Sequence, residues 1–167
     1  SYQLTGATVN ANLGAGTVLQ LGGTSTLNGT AAGDVLVSGG TLVLGAAERL
    51  ADSALLEVAS GATLNLGTFS ETVAQATLFG TLAGSGLLSA ANYQLDGATI
   101  DANLGGGAVT VSGGTTRLNG TSAAANLQIV SGTLMLGASD RLADAADVTI
   151  ASGATLDLAS YADTINQ

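Results

Sequence analysis

Two aspartates, Asp96 and Asp101, have the spacing best suited to acid–base chemistry. Two carboxylates five residues apart on a turn can converge, and paired carboxylates hydrolyse glycosidic bonds. A similar stretch earlier in the chain carries the neutral residues Thr5 and Asn10 at the same places. We therefore interpret the aspartates as exposed positions that vary freely, and we predict no catalytic residues in this chain.

The densest acidic cluster consists of Asp140, Asp144 and Asp147. A Ca²⁺ ion needs several converging oxygen ligands. The glycine-rich nonapeptide of calcium-binding β-rolls and the EF-hand loop are both missing from the sequence. We predict no metal site and no cofactor, with a Ca²⁺ site at this cluster as the alternative.

Two similar phrases place an arginine three residues before an aspartate, Arg49 with Asp52 and Arg141 with Asp144. Such a pair could hold a sugar. A surface salt bridge that closes a turn, worth about 0–1 kcal/mol, is the simpler interpretation and the one we adopt. The leucine after each arginine is predicted to anchor the turn to the core.

The residue types that are missing exclude most enzyme chemistry. The chain has no His, Cys or Lys, so Ser-His-Asp triads, thiolate nucleophiles and Ser-Lys sites cannot be built. Its three Arg stand against 12 acidic residues, giving a net charge of −9, whereas nucleic-acid binding requires clustered cations. We predict a protein that is not an enzyme and has no nucleic-acid partner.

The sequence also lacks the apolar run of about 18 residues that a membrane-spanning helix needs, so we predict no direct membrane insertion. It begins in the middle of a pattern and shows no signal peptide. We interpret it as a mature piece or a fragment of a longer protein.

The chain repeats itself at long range. YQLTGATVNANLG at 2–14 returns as YQLDGATIDANLG at 93–105, an offset of 93 − 2 = 91 residues. GGTLVLGAAERLAD at 39–52 returns as SGTLMLGASDRLAD at 131–144, an offset of 131 − 39 = 92. The second copy has therefore gained one residue, which we place near AAANLQIV.

This duplication sets the predicted organisation. Residues 1–167 form a single solenoid section made of copy 1–91 and copy 92–167, the second of which is truncated. Inside each copy a shorter period recurs, since Leu42 and Leu64 are 22 residues apart and Val109 and Leu127 are 18 apart. Quasi-periods of this length, with side chains alternating at period two, indicate stacked coils.

We therefore predict an all-β fold, a parallel β-solenoid of roughly eight coils with short strands. One coil cannot bury enough apolar surface to fold alone, but stacked coils share a continuous core. An antiparallel sandwich is the competing architecture. The segments AAERLADSA and ASDRLADAA are each predicted to form a helical or turn-like excursion.

Several smaller features carry structural predictions. Asn28 and Asn119 each precede a glycine and are predicted to form turns with positive φ. Asn10, Asn12 and Asn103 are predicted to form short amide ladders. These polar residues are assigned structural rather than binding roles.

One stretch conflicts with the alignment of the two copies. TVLQLGG in the first copy corresponds to AVTVSGG in the second, so Leu19 and Leu21 are predicted to face inward where Val109 and Val111 do. Because a slip of one residue reverses every side chain in a strand, either a bulge or a shifted corner absorbs the difference, or the alignment is off by one residue here.

Threonines and aromatic residues are the remaining candidates for a binding surface. A flat array containing Thr24, Thr41 and Thr63 could bind ice or sugar, although β-propensity alone accounts for these residues. Five aromatic residues are too few for a carbohydrate platform. Phe69 and Tyr161 share one repeat position and are predicted to cover a corner of the core.

Taken together, these residues resemble the autotransporter-associated β-strand repeat of bacterial passenger domains. The matching features are GGTL-x-LG at 39–45, RLAD at 49–52, GATLNL at 61–66, F-x-E-T-V at 69–73 and LAGSG at 82–86. The second copy matches through DTI at 163–165, with Tyr161 in place of Phe69. The resemblance covers most of the chain.

The resemblance implies a right-handed parallel β-helix that is exported across the outer membrane and displayed on, or released from, a Gram-negative cell surface. In this family such repeats form stalks that carry other modules. We therefore predict a secreted, extracellular scaffold section of a surface adhesin that supports adhesion, aggregation or biofilm formation. The alternatives are a glycan- or self-binding module on one face and, less favoured, a polysaccharide-active β-helix enzyme.

The predicted partners follow from the open ends of the solenoid. End coils without polar caps leave backbone groups unpaired, so we predict self-association through the ends or between neighbouring rods. A glycan or host-surface ligand is the other predicted partner.

Overall fold

A computed structural model of the chain describes residues 1–166; Gln167, the last residue of the predicted second copy, lies outside the described residues. The strands, numbered in chain order, are β1 (Tyr2–Thr5), β2 (Thr8–Val9), β3 (Val18–Gly22), β4 (Thr24–Leu27), β5 (Val35–Val37), β6 (Thr41–Leu44), β7 (Leu55–Val58), β8 (Thr63–Asn65), β9 (Ser70–Thr72), β10 (Gln75–Leu78), β11 (Thr81–Ala83), β12 (Leu87–Ser89), β13 (Asn92–Asp96), β14 (Thr99–Ile100), β15 (Asn103–Leu104), β16 (Ala108–Gly113), β17 (Thr115–Leu118), β18 (Asn126–Ile129), β19 (Thr133–Leu136), β20 (Asp147–Ile150) and β21 (Thr155–Asp157).

These strands form three parallel sheets, which we call faces 1, 2 and 3. Within residues 1–166, face 1 has nine strands in the order β1-β3-β5-β7-β10-β13-β16-β18-β20, and face 2 has nine in the order β2-β4-β6-β8-β11-β14-β17-β19-β21. Face 3 contains β9, β12 and β15 and is extended on both sides by single bridges such as Leu13–Ala31 and Ala31–Leu50. The chain therefore winds through nine coils, numbered here by the face 1 strand that begins each one.

The predicted parallel β-solenoid is confirmed, and the antiparallel sandwich is wrong because every pairing in the described sheets is parallel. The part of the chain that the structure describes contains no helix, and the two RLAD segments each combine a bridge residue on face 3, Leu50 or Leu142, with a turn that begins at the aspartate. The predicted count of roughly eight coils is close to the nine that residues 1–166 form. Coils use from 16 residues (Tyr2 to its partner Val18) to 21 (Val35 to its partner Leu56), and the short coils leave room for a ninth.

The core is a set of columns in which one coil places an aliphatic side chain directly on the next. On face 2, Leu42 pairs with Leu64, Leu64 with Leu82 and Leu82 with Ile100, and all four are fully buried. Each coil buries few side chains, so its stability depends on the coils above and below it.

The internal duplication is visible in the backbone. Glu48 and Asp140, 92 residues apart, both take positive φ, at 52° and 55°. Ala31 and Ser122 occupy the same face 3 position with an offset of 91, whereas Val35 and Leu127 occupy the same face 1 position with an offset of 92. The extra residue therefore lies between Ser122 and Leu127, as predicted.

The predicted inward orientation of Leu19 and Leu21 is wrong. Face 1 keeps the same register in both copies, since Tyr2 pairs with Val18 and Tyr93 with Val109. Val18 and Gln20 are therefore the buried residues of β3, and Leu21 is 48% exposed. The prediction followed hydrophobicity, but the pleat that the neighbouring coils impose decided which side chains turn inward.

The predicted positive φ at Asn28 and Asn119 is also wrong, because neither residue nor the glycine after it is left-handed. Gly29 is required for a different reason. A Cβ at Gly29 would lie 2.0 Å from the carbonyl oxygen of Ala11 on the coil before it. The glycine therefore allows two backbones to approach, and its φ plays no part.

Candidate functional site

The main polar construction in the solenoid interior is centred on Glu71. This residue is only 1% exposed, on face 3 of coil 4, where it pairs with Leu88 of coil 5. Its two carboxylate oxygens accept the backbone N–H groups of Arg49 at 2.8 Å and Leu50 at 3.0 Å, both on coil 3. We call this arrangement the carboxylate clip.

The clip replaces hydrogen bonds that the backbone makes elsewhere. At the same face 3 position of coil 1, Leu13 donates its N–H to the carbonyl of Thr30, and on coil 2 Ala31 donates to the carbonyl of Arg49. On coil 3 the equivalent donor is Leu50, and its acceptor is the side chain of Glu71. The Glu71 carboxylate therefore accepts hydrogen bonds from the backbone N–H groups of Arg49 and Leu50, which do not donate to a backbone carbonyl of the next coil.

Burial raises the pKa of the Glu71 carboxyl from 4.5 to about 7, because the charged form loses its hydration. Hydrogen bonds from the backbone of Arg49 and Leu50 oppose the rise, and the nearby charge of Glu48 adds to it. A carboxyl that titrates close to neutral pH can be a general acid. Here both of its oxygens accept hydrogen bonds from the backbone of the preceding coil.

The second copy contains a shorter clip. Asp163, 92 residues after Glu71, accepts the backbone N–H groups of Arg141 at 2.7 Å and Leu142 at 3.1 Å through the single oxygen Oδ2. Its other oxygen, Oδ1, is buried without a hydrogen-bond partner. The sequence alone predicts no role for Glu71 or Asp163. The available signal is that both copies carry an acidic residue at this position, in a segment that has few acidic residues.

The predicted salt bridges between Arg49 and Asp52 and between Arg141 and Asp144 are wrong in the described structure. The Arg49 guanidinium donates to the carbonyls of Ala47 at 3.0 Å and Asn28 at 2.8 Å. Asp52 is an exposed turn residue. The arginine therefore ties its own turn to the preceding coil through carbonyl groups, which lack a compensating negative charge.

Arg141 repeats this arrangement in the second copy, where it donates to the carbonyls of Ser139 and Asn119. The leucines that follow the arginines, Leu50 and Leu142, are buried, so their predicted anchoring role is confirmed.

Of the three residues predicted to form amide ladders, only Asn10 does so, at the corner between faces 2 and 3. Asn28 donates its side-chain amide to Asn10 at 2.7 Å on the preceding coil. Asn12 and Asn103 instead accept the backbone N–H groups of Thr30 and Thr121. All of these bonds join neighbouring coils and therefore support the stack.

The paired aspartates do not form a site. Asp101 accepts the side-chain amide of Asn119 at 2.6 Å, in the same corner ladder. Asp96 ends β13, where face 1 turns toward face 2. The two carboxylates lie at different corners of coil 6, which does not provide the close pair that glycoside hydrolysis needs.

The acidic cluster Asp140, Asp144 and Asp147 is dispersed as well. Asp147 lies on β20 and accepts the side-chain amide of Asn166 at 2.9 Å, whereas Asp140 and Asp144 belong to exposed turns. Within the described range 1–166, no three acidic side chains come close enough together to hold a metal ion.

The threonine array is divided into separate columns on face 2, since Thr115, Thr133 and Thr155 form a column apart from the longer one. Thr24, Thr41, Thr63, Thr81 and Thr99 pair in register over five successive coils, and Arg117 follows Thr99. Binding of ice or sugar by this column stays a prediction. Phe69 is half-buried and Tyr161 is 40% exposed, so both cover the corner only in part.

One concave surface opens on the outer side of face 1. It is a groove of about 210 Å³ across coils 2 to 5. The lining residues are Thr17, Asp34, Val35, Leu36, Leu55, Leu56, Glu57, Gln75 and Thr77. Leu55 is 54% exposed, which is the highest value among the large exposed apolar side chains.

Comparisons of the chain with protein-family models, with curated proteins and with solved structures found no match. In the residues that the structure describes, no helix is long and apolar enough to cross a membrane.

Proposed function

We propose that this chain is a scaffold section of a secreted bacterial surface adhesin, a rigid β-helical stalk that supports adhesion, aggregation or biofilm formation. On this proposal the helix is right-handed, the protein is displayed at a Gram-negative cell surface, and the chain itself is not an enzyme. Its predicted partners are neighbouring rods of the same kind or a glycan or host-surface ligand.

The observation that carries the proposal is the continuity of the stack. Nine coils share uninterrupted sheets on faces 1 and 2 across both sequence copies. Side chains that could have served catalysis are used instead to join neighbouring coils, as Glu71, Asp101 and Asn119 are. Such a fold resists bending and separates whatever lies at its two ends by a fixed distance.

The resemblance to autotransporter-associated β-strand repeats supports the location and the role in adhesion. The motifs that carry it have defined places in the structure, since RLAD forms the turn that the clip holds and F-x-E-T-V supplies the clip's Glu71. The net charge of −9 also suits an exposed surface protein, because it opposes nonspecific aggregation.

The stalk role is tested by measuring reach. Spin labels on the outer sides of coils 2 and 9 should lie about 34 Å apart along the rod, seven coil spacings of about 4.8 Å, with a narrow distance distribution. A variant lacking residues 2–92 begins at Tyr93, which occupies the position of Tyr2, and should be shorter by five coils, or about 24 Å.

The functional test displays both lengths on bacteria between an outer-membrane anchor and a binding tag. A scaffold changes the distance at which beads carrying the tag's ligand are captured while leaving tag affinity unchanged. A broad distance distribution, capture independent of length, or release of sugars from a polysaccharide panel by the purified chain would overturn the proposal.

A further inference from the structure

The outward-facing apolar side chains of the groove on face 1 are Leu36 and Leu55, and Leu19 lies beside Leu36 on the preceding coil. Leu19 pairs in register with Leu36 on the next coil, and Leu55 lines the groove one coil further on. Leu36 is half-buried and Leu55 is 54% exposed. Outward leucines on neighbouring coils form a contiguous apolar patch, and such patches often mark a surface that contacts something else.

The second copy shows that the solenoid does not need these leucines. Thr110 and Gln128 pair in the same register as Leu19 and Leu36, and Asp147 occupies the position of Leu55. The backbone forms the same coils with polar residues at all three places. The apolar surface of the first copy is therefore additional to what folding requires.

Two carboxylates flank the leucines. Asp34 and Glu57 both line the groove, and both are exposed. Asp34 is held in place because its Oδ1 accepts the backbone N–H of Leu55 at 2.9 Å. The equivalent residues of the second copy, Asn126 and Thr149, are uncharged.

We propose that this groove binds a cationic, amphipathic peptide segment of another protein. An aliphatic side chain of the peptide packs between Leu36 and Leu55, and a neighbouring lysine or arginine meets Asp34 and Glu57. At about 210 Å³ the groove is smaller than the 300–1,000 Å³ of drug-sized ligand pockets and suits inserted side chains. Apolar contact supplies affinity, and the two carboxylates select the charge of the partner.

Other occupants fit these residues less well. A second copy of the chain would bring Asp34 and Glu57 against the same pair and would add a net charge of −9, with no lysine to compensate. A sugar ring would find no aromatic side chain among the lining residues to stack on. Docking at this groove does not depend on the stalk role, because it is argued from the residues that line the groove alone.

The test uses the whole 167-residue chain and a short fluorescent peptide of alternating leucine and lysine, followed by fluorescence anisotropy. We expect one peptide per chain, with affinity that falls as salt is added. The combined variant Leu19→Thr, Leu36→Gln and Leu55→Asp, which copies the second half of the chain, should bind at least about tenfold more weakly. The aspartate at position 55 adds a negative charge, so attraction of the cationic peptide by charge alone would strengthen binding. Weaker binding by this variant therefore reports the loss of apolar contact.

A second variant separates charge from apolar contact. Asp34→Asn with Glu57→Thr, again copying the second half, should weaken binding and remove most of its salt dependence. Gln128→Ala on the second copy is the matched control and should leave affinity unchanged. Peptides of alternating threonine and lysine, or leucine and glutamate, should bind at least about tenfold more weakly than the leucine–lysine peptide.

Three results would overturn the proposal. One is equal affinity for the native chain and the triple leucine variant when both show the same circular dichroism and urea midpoint. Another is two peptides per chain with no preference for the first copy. The third is concentration-dependent association of the native chain, in sedimentation, that the triple variant abolishes, since this would make a second copy the occupant.

Discussion

The carboxylate of Glu71 and the backbone nitrogen of Leu50 lie 3.0 Å apart across the junction between coils 3 and 4. The equivalent donors on coils 1 and 2 are the backbone N–H groups of Leu13 and Ala31, and each donates to a backbone carbonyl of the next coil. For Leu50 the acceptor is the side chain of Glu71. The longer coil 3 can therefore insert the RLAD turn without leaving buried N–H groups unpaired. The two clips, the buried side chain of Gln20 and the close approach at Gly29 give predictions that can be measured.

The two clips should respond differently to neutral amides. In Glu71 each oxygen accepts one N–H, so Glu71→Gln must turn an NH₂ group toward a backbone donor and should cost about 1–3 kcal/mol. In Asp163 one oxygen accepts both, so Asp163→Asn keeps both bonds and should cost less. Hydrogen exchange should show faster exchange at Arg49 and Leu50 in the first variant only. Equal losses of protection at both clips would contradict this reading of the geometry.

The Glu71 clip should make stability depend on pH. Because the pKa of Glu71 is raised from 4.5 to about 7, the folded chain keeps a proton there that the unfolded chain releases. Its contribution is therefore fully present below about pH 4.5 and decreases as pH rises to about 7, by at most about 1.4 kcal/mol per pH unit. Urea unfolding of the native chain and of Glu71→Gln at several pH values isolates this contribution from other acids. A stability difference between the two that stays constant from pH 4.5 to 7 would show that Glu71 does not titrate in this range.

Gln20 is a candidate for stabilisation. Its side chain is fully buried, and its Oε1 has no hydrogen-bond partner, whereas Val111 occupies the same position of the second copy. Gln20→Val should stabilise the chain by about 1 kcal/mol, because the carbonyls of Gly22 and Gly23 keep backbone donors. The reverse change, Val111→Gln, should destabilise it. Urea midpoints that move in the same direction for both variants would refute this account.

Gly29 should be intolerant of even a methyl group. A Cβ there would lie 2.0 Å from the carbonyl oxygen of Ala11, so Gly29→Ala must push two coils apart and should cost at least about 1–3 kcal/mol. Gly22→Ala is the matched control, because a Cβ at Gly22 meets nothing within 4 Å and its φ is not positive. Thermal unfolding should be unchanged, or raised slightly, for this control. Similar losses in the two variants would mean that close approach of the coils is not the cause.

The sequence allowed the stacking to be predicted but not the details at individual residues. Alternation in segments such as T-L-V-L, together with the 91-residue duplication, is sufficient to predict a parallel solenoid, because both patterns can be seen in the order of residues without knowing which coils touch. The coil count was underestimated because coil length varies from 16 to 21 residues. Leu19 and Leu21 were placed inward because hydrophobicity favours that, but pairing with β1 fixed Gln20 there instead.

The candidate sites were harder to predict because they depend on contacts between coils. Arg49 lies near several acids in the sequence, but nothing in the order of residues shows that its guanidinium would find carbonyls of the preceding coil. The role of Glu71 likewise arises only when coil 4 is placed on coil 3. The groove on face 1 likewise depends on how coils 2 to 5 lie against one another, which the order of residues does not show.

The register shared by Tyr2 with Val18 and by Tyr93 with Val109 has an evolutionary consequence. A gene that duplicates this unit lengthens its product in modular increments of five turns, and each increment returns to the same face of the solenoid. Outward positions can then diversify independently of the framework, as leucine, threonine and glutamine already have. The length of the rod and the chemistry of its outer surface can thereby change independently of each other.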